Sequence, residues 1–199
     1  MPRLRFETAR DLFEAFPAAQ EELLIEPTDE PSLDFLRALA ADGAMEKAVG
    51  FCAYLLPRRE AVWWACQCVK LLLPPHAGEE QQAFQAAEDW VREPEEERRL
   101  EALAIGRQGN YRVAATWLAL AAGWAGGSMP PGTLAGFEAP NLAALGEEWL
   151  PIPPDQTAKA VRASILIAAW RLEPKDRVEL LQTCVEEGAR LAEEPREAT

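Results

Sequence analysis

Three segments of this sequence are apolar on nearly every face of the helix that each would form. They are residues 61–73 (AVWWACQCVKLLL), 113–125 (VAATWLALAAGWA) and 161–170 (VRASILIAAW). A helix at a protein surface carries an apolar stripe about 100° wide, whereas a helix that is apolar all round is enclosed by other elements or by lipid. The pattern therefore predicts a helical body in which other helices surround these three.

The rest of the chain favours helices as well. Ala, Leu, Glu and Arg dominate, and the alternating β-branched runs typical of strands are absent. We expect one compact all-α domain over residues 1–199, with about eight or nine helices. The central helices are predicted at residues 58–73, 111–125 and 155–170. The other predicted helices are a short one that Thr8 caps and that ends before Pro17, then residues 33–41, 44–56, 78–92, 95–107 and 174–193. A further short helix, at residues 141–149, is expected inside the glycine- and proline-rich loop at residues 126–154.

Three regions are predicted to be less regular. Residues 1–30 form a less ordered N-terminal segment, in which the acidic, proline-bracketed residues 21–31 are expected to be a loop. Residues 126–154 are rich in glycine and proline, and a loop of this length in a compact domain is usually functional or disordered. This loop also contains apolar residues, which suggest that it packs on the helical body. They include Met129, Leu134, Phe137, Trp149, Leu150 and Ile152. Residues 194–199 resemble a frayed tail.

The formal charge of −13, from 33 acidic and 20 basic side chains, limits the classes of partner. Nucleic acids and anionic membrane surfaces both require a basic face, so we expect neither as a ligand. A membrane-spanning helix needs about 20 apolar residues. Residues 113–137 are uncharged, but Gly126, Gly127 and Pro130 interrupt them, so we expect a buried helix there. Neutral or basic proteins remain as partners; the alternative is that the charge serves only solubility.

The cysteines and the single histidine predict no metal or cofactor site. Cys66 and Cys68 form C-x-C inside a predicted helix, where they point about 200° apart and cannot bind one metal ion together. We expect both to be small buried hydrophobic residues. His76 follows two prolines and is expected in an exposed loop. The N-terminus has no continuous apolar leader, so the expected compartment is the cytoplasm, with reduced thiols.

Seven tryptophans are many for this length. Trp117 and Trp170 are expected in the core. For each of Trp64 and Trp149, the core and the surface are equally expected. Adjacent Trp63 and Trp64 point about 100° apart on a helix, so at least one is expected near a groove or the surface.

The polar residues of the same predicted helix, Glu60, Gln67 and Lys70, fall on one narrow stripe. The stripe is either an exposed edge or a buried polar network, and we favour the edge. The acids Glu95, Glu96 and Glu97 are expected on a solvated helix start, where they complement the positive end of the helix.

Residues 57–66 (PRREAVWWAC) resemble a family of bacterial helical proteins of unknown function whose genes are often found near type VI secretion clusters. The similarity continues through residues 87–91 (AEDWV), the helix at residues 114–124, the glycine-proline loop and residues 153–161, and it covers about residues 45–192. The resemblance implies an accessory role in interbacterial secretion, as an immunity protein, an effector chaperone or an adaptor. It implies no catalytic residue.

The leading hypothesis is a non-enzymatic, cytoplasmic protein-binding protein with an acidic, aromatic-studded surface. The alternative is a structural scaffold or homo-oligomer. An enzyme with a pocket under residues 126–154 is the third hypothesis, but the sequence supplies no recognisable nucleophile, metal shell or cofactor loop. We therefore expect no catalytic, cofactor or metal residues. The expected partner-binding residues are Trp63, Trp64, Gln67, Lys70, Trp149, Glu95, Glu96 and Glu97.

Overall fold

The computed structural model describes residues 4–73, 78–129 and 150–194, and it is all-α apart from one short β-ribbon. Over these ranges the chain forms ten helices. In order they are α1 (Ala9–Ala15), α2 (Pro17–Leu23), α3 (Ser32–Ala41), α4 (Met45–Leu55), α5 (Arg58–Leu72), α6 (Glu79–Arg92), α7 (Glu96–Gln108), α8 (Ala114–Gly123), α9 (Gln156–Ala169) and α10 (Pro174–Glu193). The ribbon pairs β1 (Ser128–Met129) with β2 (Leu150–Pro151) in antiparallel register. The all-α prediction is confirmed.

The predicted starts and stops of the first helices are mostly correct. The Thr8 side chain accepts a hydrogen bond from the Asp11 N–H at 3.2 Å, and the Asp11 carboxylate accepts one from the Thr8 N–H at 3.0 Å, a reciprocal capping box. Helix α3 ends at Ala41 with Asp42 as its C-cap, and Gly43 follows with φ +75°, a conformation that residues with a side chain disfavour. The expectation of a loop over residues 21–31 is wrong in part, because α2 continues to Leu23 and buries that side chain against the core.

The three central helices are enclosed as predicted, and a fourth helix joins them. Helices α5, α8 and α9 contact one another, and in α8 every residue except Trp117 is buried. Helix α4 was not predicted to be central, yet all its residues from Ala48 to Leu55 are buried. Residues 48–56 carry no charge, which is visible in the sequence. Because Glu46 and Lys47 lie in the first turn of α4, the sequence did not predict that this helix is enclosed.

Helix α8 begins three residues later than predicted. Asn110 accepts a hydrogen bond on its side-chain oxygen from the Arg112 N–H at 3.0 Å, so Tyr111 and Arg112 lie in a turn. This Asx-type bond competes with helical hydrogen bonding. Helix α8 therefore starts at Ala114, after Val113 as its N-cap.

The two ends of the glycine- and proline-rich segment pack on the helical body. Met129 and Ile152 are buried together with Leu103 of α7 and Leu120 of α8. The Ile152 N–H also donates to the Gly127 carbonyl at 3.1 Å, which extends the ribbon. Residues 130–149 lie outside the described ranges, together with the predicted helix at residues 141–149 and with Leu134, Phe137 and Trp149.

Two expectations about tryptophans have different outcomes. Trp117 is half-buried against the core, and its indole N–H donates to the Tyr111 carbonyl at 2.8 Å. Trp170 was expected in the core, but it is 59% exposed, so that prediction is wrong. Helix α9 ends at Ala169, which places Trp170 on the turn, where the Arg177 guanidinium stacks 3.9 Å from its ring centre.

Helix α10 is pressed against α4 and α5 at Gly188. A Cβ atom added at this glycine would lie 2.5 Å from the Cys52 sulfur and 3.0 Å from the Trp64 ring. Both neighbours are fully buried and have no space into which to move. A glycine here is therefore a packing requirement of the fold.

We expect Gly188→Ala to lower the free energy of unfolding by about 1–2 kcal/mol. Overpacking in a dense core costs about 1–3 kcal/mol, and the better helix propensity of alanine returns at most about 1 kcal/mol. Urea unfolding measures the difference. Gly127→Ala is the matched control, because an added Cβ there meets no atom within 4 Å. Equal stability of the two variants would contradict the close approach at Gly188.

Candidate binding cleft

Helix α5 presents one polar edge, as predicted. Glu60, Trp63, Gln67 and Lys70 follow each other at intervals of three or four residues, and all four are half-buried or exposed. Trp63 is 39% exposed, whereas its neighbour Trp64 is completely buried. The helix thus separates two adjacent indoles, one for the surface and one for the core.

Two adjacent arginines at the start of α5 bind the C-terminal ends of two other helices. Arg58 donates to the carbonyls of Ala125 and Gly126, at 3.2 and 3.0 Å, just beyond the end of α8. Arg59 donates to the carbonyls of Val91 and Arg92, at 2.8 and 3.3 Å, at the end of α6. The last carbonyls of a helix have no partner within it and carry partial negative charge, which a guanidinium satisfies.

Trp64 fixes a third helix on α5. Its indole N–H donates to the Cys184 carbonyl of α10 at 2.8 Å, in a fully buried setting. This contact removes Trp64 from the side chains that a partner can touch, although it was among the expected binding residues. The PRREAVWWAC segment therefore contains three side chains that hold α6, α8 and α10 in place.

A cleft of about 580 Å³ lies where α5, α6 and α10 meet around Trp63. Its volume falls in the range of about 300–1,000 Å³ that ligand pockets occupy. The less polar lining consists of Trp63, Cys66, Val91 and Leu191, and the charged lining consists of Arg59, Glu60, Glu88, Arg92 and Glu194. An apolar floor with an exposed indole and a charged rim is the arrangement found at the centre of protein interfaces.

Most charges near the cleft are already paired inside the protein. Lys70 donates to the Glu88 carboxylate at 2.5 Å and lies 5.5 Å from the centre of the Phe84 ring. Arg92 donates to the Asp89 carboxylate at 3.1 Å. Of the predicted binding residues, Trp63 lines the cleft itself, whereas Gln67 and Lys70 continue the same edge of α5 beyond it.

The acidic start of α7 divides into two kinds of residue. Glu95, Glu96 and Glu97 are all exposed, as predicted. Glu96 accepts hydrogen bonds from the buried Arg99 guanidinium at 2.8 and 2.5 Å, and these bonds lower the pKa of its carboxyl. Glu96 therefore has a structural role in addition to any contact with a partner.

Arg99 links α7 to the end of α8 and to the β-ribbon. Only 3% of this residue is exposed, and besides binding Glu96 it donates to the carbonyls of Gly123 and Ser128, at 2.5 and 2.9 Å. Its guanidinium also lies so close to Gly126 that a Cβ at that position would be 2.5 Å from Nε. Together with Arg58, this side chain fixes the start of the glycine- and proline-rich segment.

We expect Arg99→Met to lower the free energy of unfolding by about 3 kcal/mol, because it leaves buried carbonyls without donors. Arg98→Met is the matched control, since the neighbouring Arg98 is half-buried and its ion pair with Glu93 lies at the protein surface, where such pairs contribute little. Urea unfolding of both variants measures the difference. If Arg99→Met lowers the free energy of unfolding no more than Arg98→Met does, the structural role of the buried Arg99 contacts is contradicted.

The four cysteines are free and buried, as expected for small hydrophobic residues. Burial, followed by the nearby Cys184, raises the pKa of the Cys52 thiol. Burial and then contact with Cys184 raise the pKa of Cys68, and burial and then Glu88 raise that of Cys66. Cys66 lines the cleft but is only 1% exposed. Neutral, buried thiols are weak nucleophiles and weak metal ligands.

These thiols make stability depend on alkaline pH. The pKa of Tyr54 is also raised, by burial and then by the Glu22 carboxylate that accepts its hydroxyl hydrogen bond at 2.9 Å. Above about pH 8.5 the unfolded chain loses thiol protons that the folded chain keeps, and above about pH 10 it also loses the tyrosine proton. The folded state then binds more protons, so stability is fully present below these values and is lost as the pH rises.

We expect the free energy of unfolding to fall between pH 8 and 10.5 by up to about 1.4 kcal/mol per pH unit for each of these groups. Urea unfolding at a series of pH values, with reductant present, measures the slope. Cys66→Ala removes one titrating group and is expected to give a shallower slope. If the free energy of unfolding of the wild type stays constant or rises over this pH range, the raised pKa of these buried groups is contradicted.

Over the described residues, no group of three or more His, Cys, Asp or Glu side chains is arranged to hold a metal ion. Nor does any helix in these ranges have the length and apolar character needed to cross a bilayer. His76 lies outside the described residues, as does Trp149.

The fold and the cleft define an all-helical protein organised around α5, which is enclosed except along its polar edge. A family model matches residues 35–192, so the chain belongs to the family of unknown function DUF6931. The matched region begins within α3 and ends within α10, and it includes the whole cleft except Glu194. The description of the family names neither an activity nor a secretion system. No curated protein and no solved structure matches the chain.

Proposed function

We propose that this chain is a non-enzymatic accessory protein that binds another protein through the cleft around Trp63. The observation that carries the proposal is the exposed indole of Trp63 above an apolar floor that includes Val91 and Leu191. Tryptophan is enriched among the few residues that supply most of the binding energy at protein interfaces. A preformed cleft also lowers the entropic cost of binding.

The charge of the chain supports a neutral or basic protein as the partner. The net charge of −13 attracts basic proteins over a distance and speeds their encounter with the cleft. Glu95 and Glu97 follow Arg92 of the cleft lining by three and five residues, and both are exposed. They therefore add negative charge close in sequence to the cleft. Their part in the proposal is to speed the encounter, whereas Trp63 is proposed to supply affinity.

The biological setting of the proposal comes from the resemblance of residues 57–66. It is the cytoplasmic side of type VI secretion, with the chain acting as an immunity protein, an effector chaperone or an adaptor. A secreted effector or a component of the secretion apparatus would then be the partner. The buried thiols with raised pKa support the non-enzymatic part of the proposal, because none of them is a ready nucleophile.

The proposal is tested by comparing two exposed tryptophans in the full chain. Tagged wild-type protein, Trp63→Ala and Trp170→Ala are used to capture partners from the native cell, and the affinity for the purified partner is then measured. We expect Trp63→Ala to weaken binding about 30-fold, the effect of losing about 2 kcal/mol at a hot spot. Trp170→Ala is the matched control, because Arg177 already covers one face of that ring.

The outcomes separate the proposed roles. One stoichiometric partner with a toxin or secretion-apparatus domain, lost in Trp63→Ala alone, supports the proposal and its setting. Equal binding by the two variants contradicts the use of the cleft. Light scattering that shows a closed homo-oligomer without another partner favours the scaffold alternative. Binding that is unaffected by salt and by charge reversal at Glu95 and Glu97 contradicts electrostatic attraction.

A further inference from the structure

Among the residues that the structure describes, one carboxylate of the cleft around Trp63 has neither an ion pair nor a hydrogen bond. Both arginines of its lining have donors in use, Arg59 on the carbonyls at the end of α6 and Arg92 on Asp89. The Glu88 carboxylate accepts from Lys70. Glu60, in contrast, has neither an ion pair nor a hydrogen bond on its carboxylate among the described residues. What the cleft offers beside Trp63 is therefore a negatively charged acceptor.

The Trp63 ring is also without a cation. Elsewhere in the chain Arg177 lies 3.9 Å from the centre of the exposed Trp170 ring. No such contact is made by Trp63 in the part of the chain that the structure describes, although this residue is 39% exposed. Glu60 and Trp63 are three residues apart on α5, which makes them neighbours on the helix surface, with about 5–6 Å between their Cβ atoms.

We propose that the cleft receives an arginine side chain of the protein partner, with its guanidinium stacked on Trp63 and hydrogen-bonded to Glu60. This inference rests on the proposed function, since it names the chemistry that the same cleft recognises. Arginine fits better than lysine, because a planar guanidinium stacks on an indole and donates two parallel bonds to a carboxylate. The acidic chain further favours a positively charged occupant.

The test uses short peptides in place of the unidentified partner. The probes are the acetylated and amidated tripeptides Gly-Arg-Gly, Gly-Lys-Gly and Gly-citrulline-Gly, at constant ionic strength. Citrulline keeps the shape of arginine but carries no charge. The readout is the NMR resonance of the Trp63 indole N–H in the full chain, assigned through Trp63→Phe and compared with that of Trp170.

The arginine peptide is expected to shift the Trp63 indole resonance, with weaker binding of the lysine peptide and the weakest of the citrulline peptide. Glu60→Gln is expected to weaken arginine binding at least about fivefold, the effect of losing one charge-assisted hydrogen bond. Glu21→Gln is the matched control, because it removes the same charge from an exposed site on α2, outside the cleft. We expect that control to change the affinity by less than about twofold, since screening weakens distant surface charges.

Three results would overturn the inference: no shift at Trp63, equal binding of arginine and citrulline peptides, or equal effects of Glu60→Gln and Glu21→Gln. Its failure is distinguishable from that of the proposed function. If Trp63→Ala abolishes partner binding while Glu60→Gln leaves the affinity for the peptides unchanged, the cleft binds its partner by other chemistry. If the arginine peptide binds as expected while Trp63→Ala leaves partner binding unchanged, the cleft accepts arginine but is not the partner interface.

Discussion

The hydrogen bonds that the first turns of α5 make to other helices are the interactions on which the rest of the structure depends. Arg58 and Arg59 supply donors to the carboxyl ends of α8 and α6, and Trp64 supplies one to the backbone of α10. Each of these backbone groups would be costly to leave unpaired in a partly or fully buried place. One short stretch of sequence therefore sets the position of three surrounding helices.

This arrangement also explains why the cleft exists. Arg59 fixes the end of α6 on one side of Trp63, and Trp64 with Gly188 fixes α10 on the other. The Trp64 contact lies inside the body, whereas Arg59 both positions α6 and forms part of the cleft lining. The cleft itself is free to present an indole and a carboxylate to a partner without any loss of those contacts.

The sequence predicted the class of fold because its most apolar helices have no polar face wide enough for solvent. Residues of α5, α8 and α9 had to be enclosed whatever surrounded them, and the narrow polar stripe of α5 had to be its outer edge. The pattern did not predict the burial of α4, because the charged residues of its first turn precede the uncharged residues that the core encloses. It also placed Trp170 inside, since periodicity does not reveal that α9 ends one residue earlier.

The sequence by itself determined that the chain is helical, acidic and built around enclosed helices, because hydrophobic periodicity and charge are local properties. Only the tertiary structure decided what the buried Trp64 binds, because its indole N–H donates to the Cys184 carbonyl, 120 residues further along the chain. It likewise decided that Arg58 and Arg59 bind carbonyls instead of acids, and that Glu60 has no partner among the described residues. Such pairings depend on distances between helices that no local pattern contains.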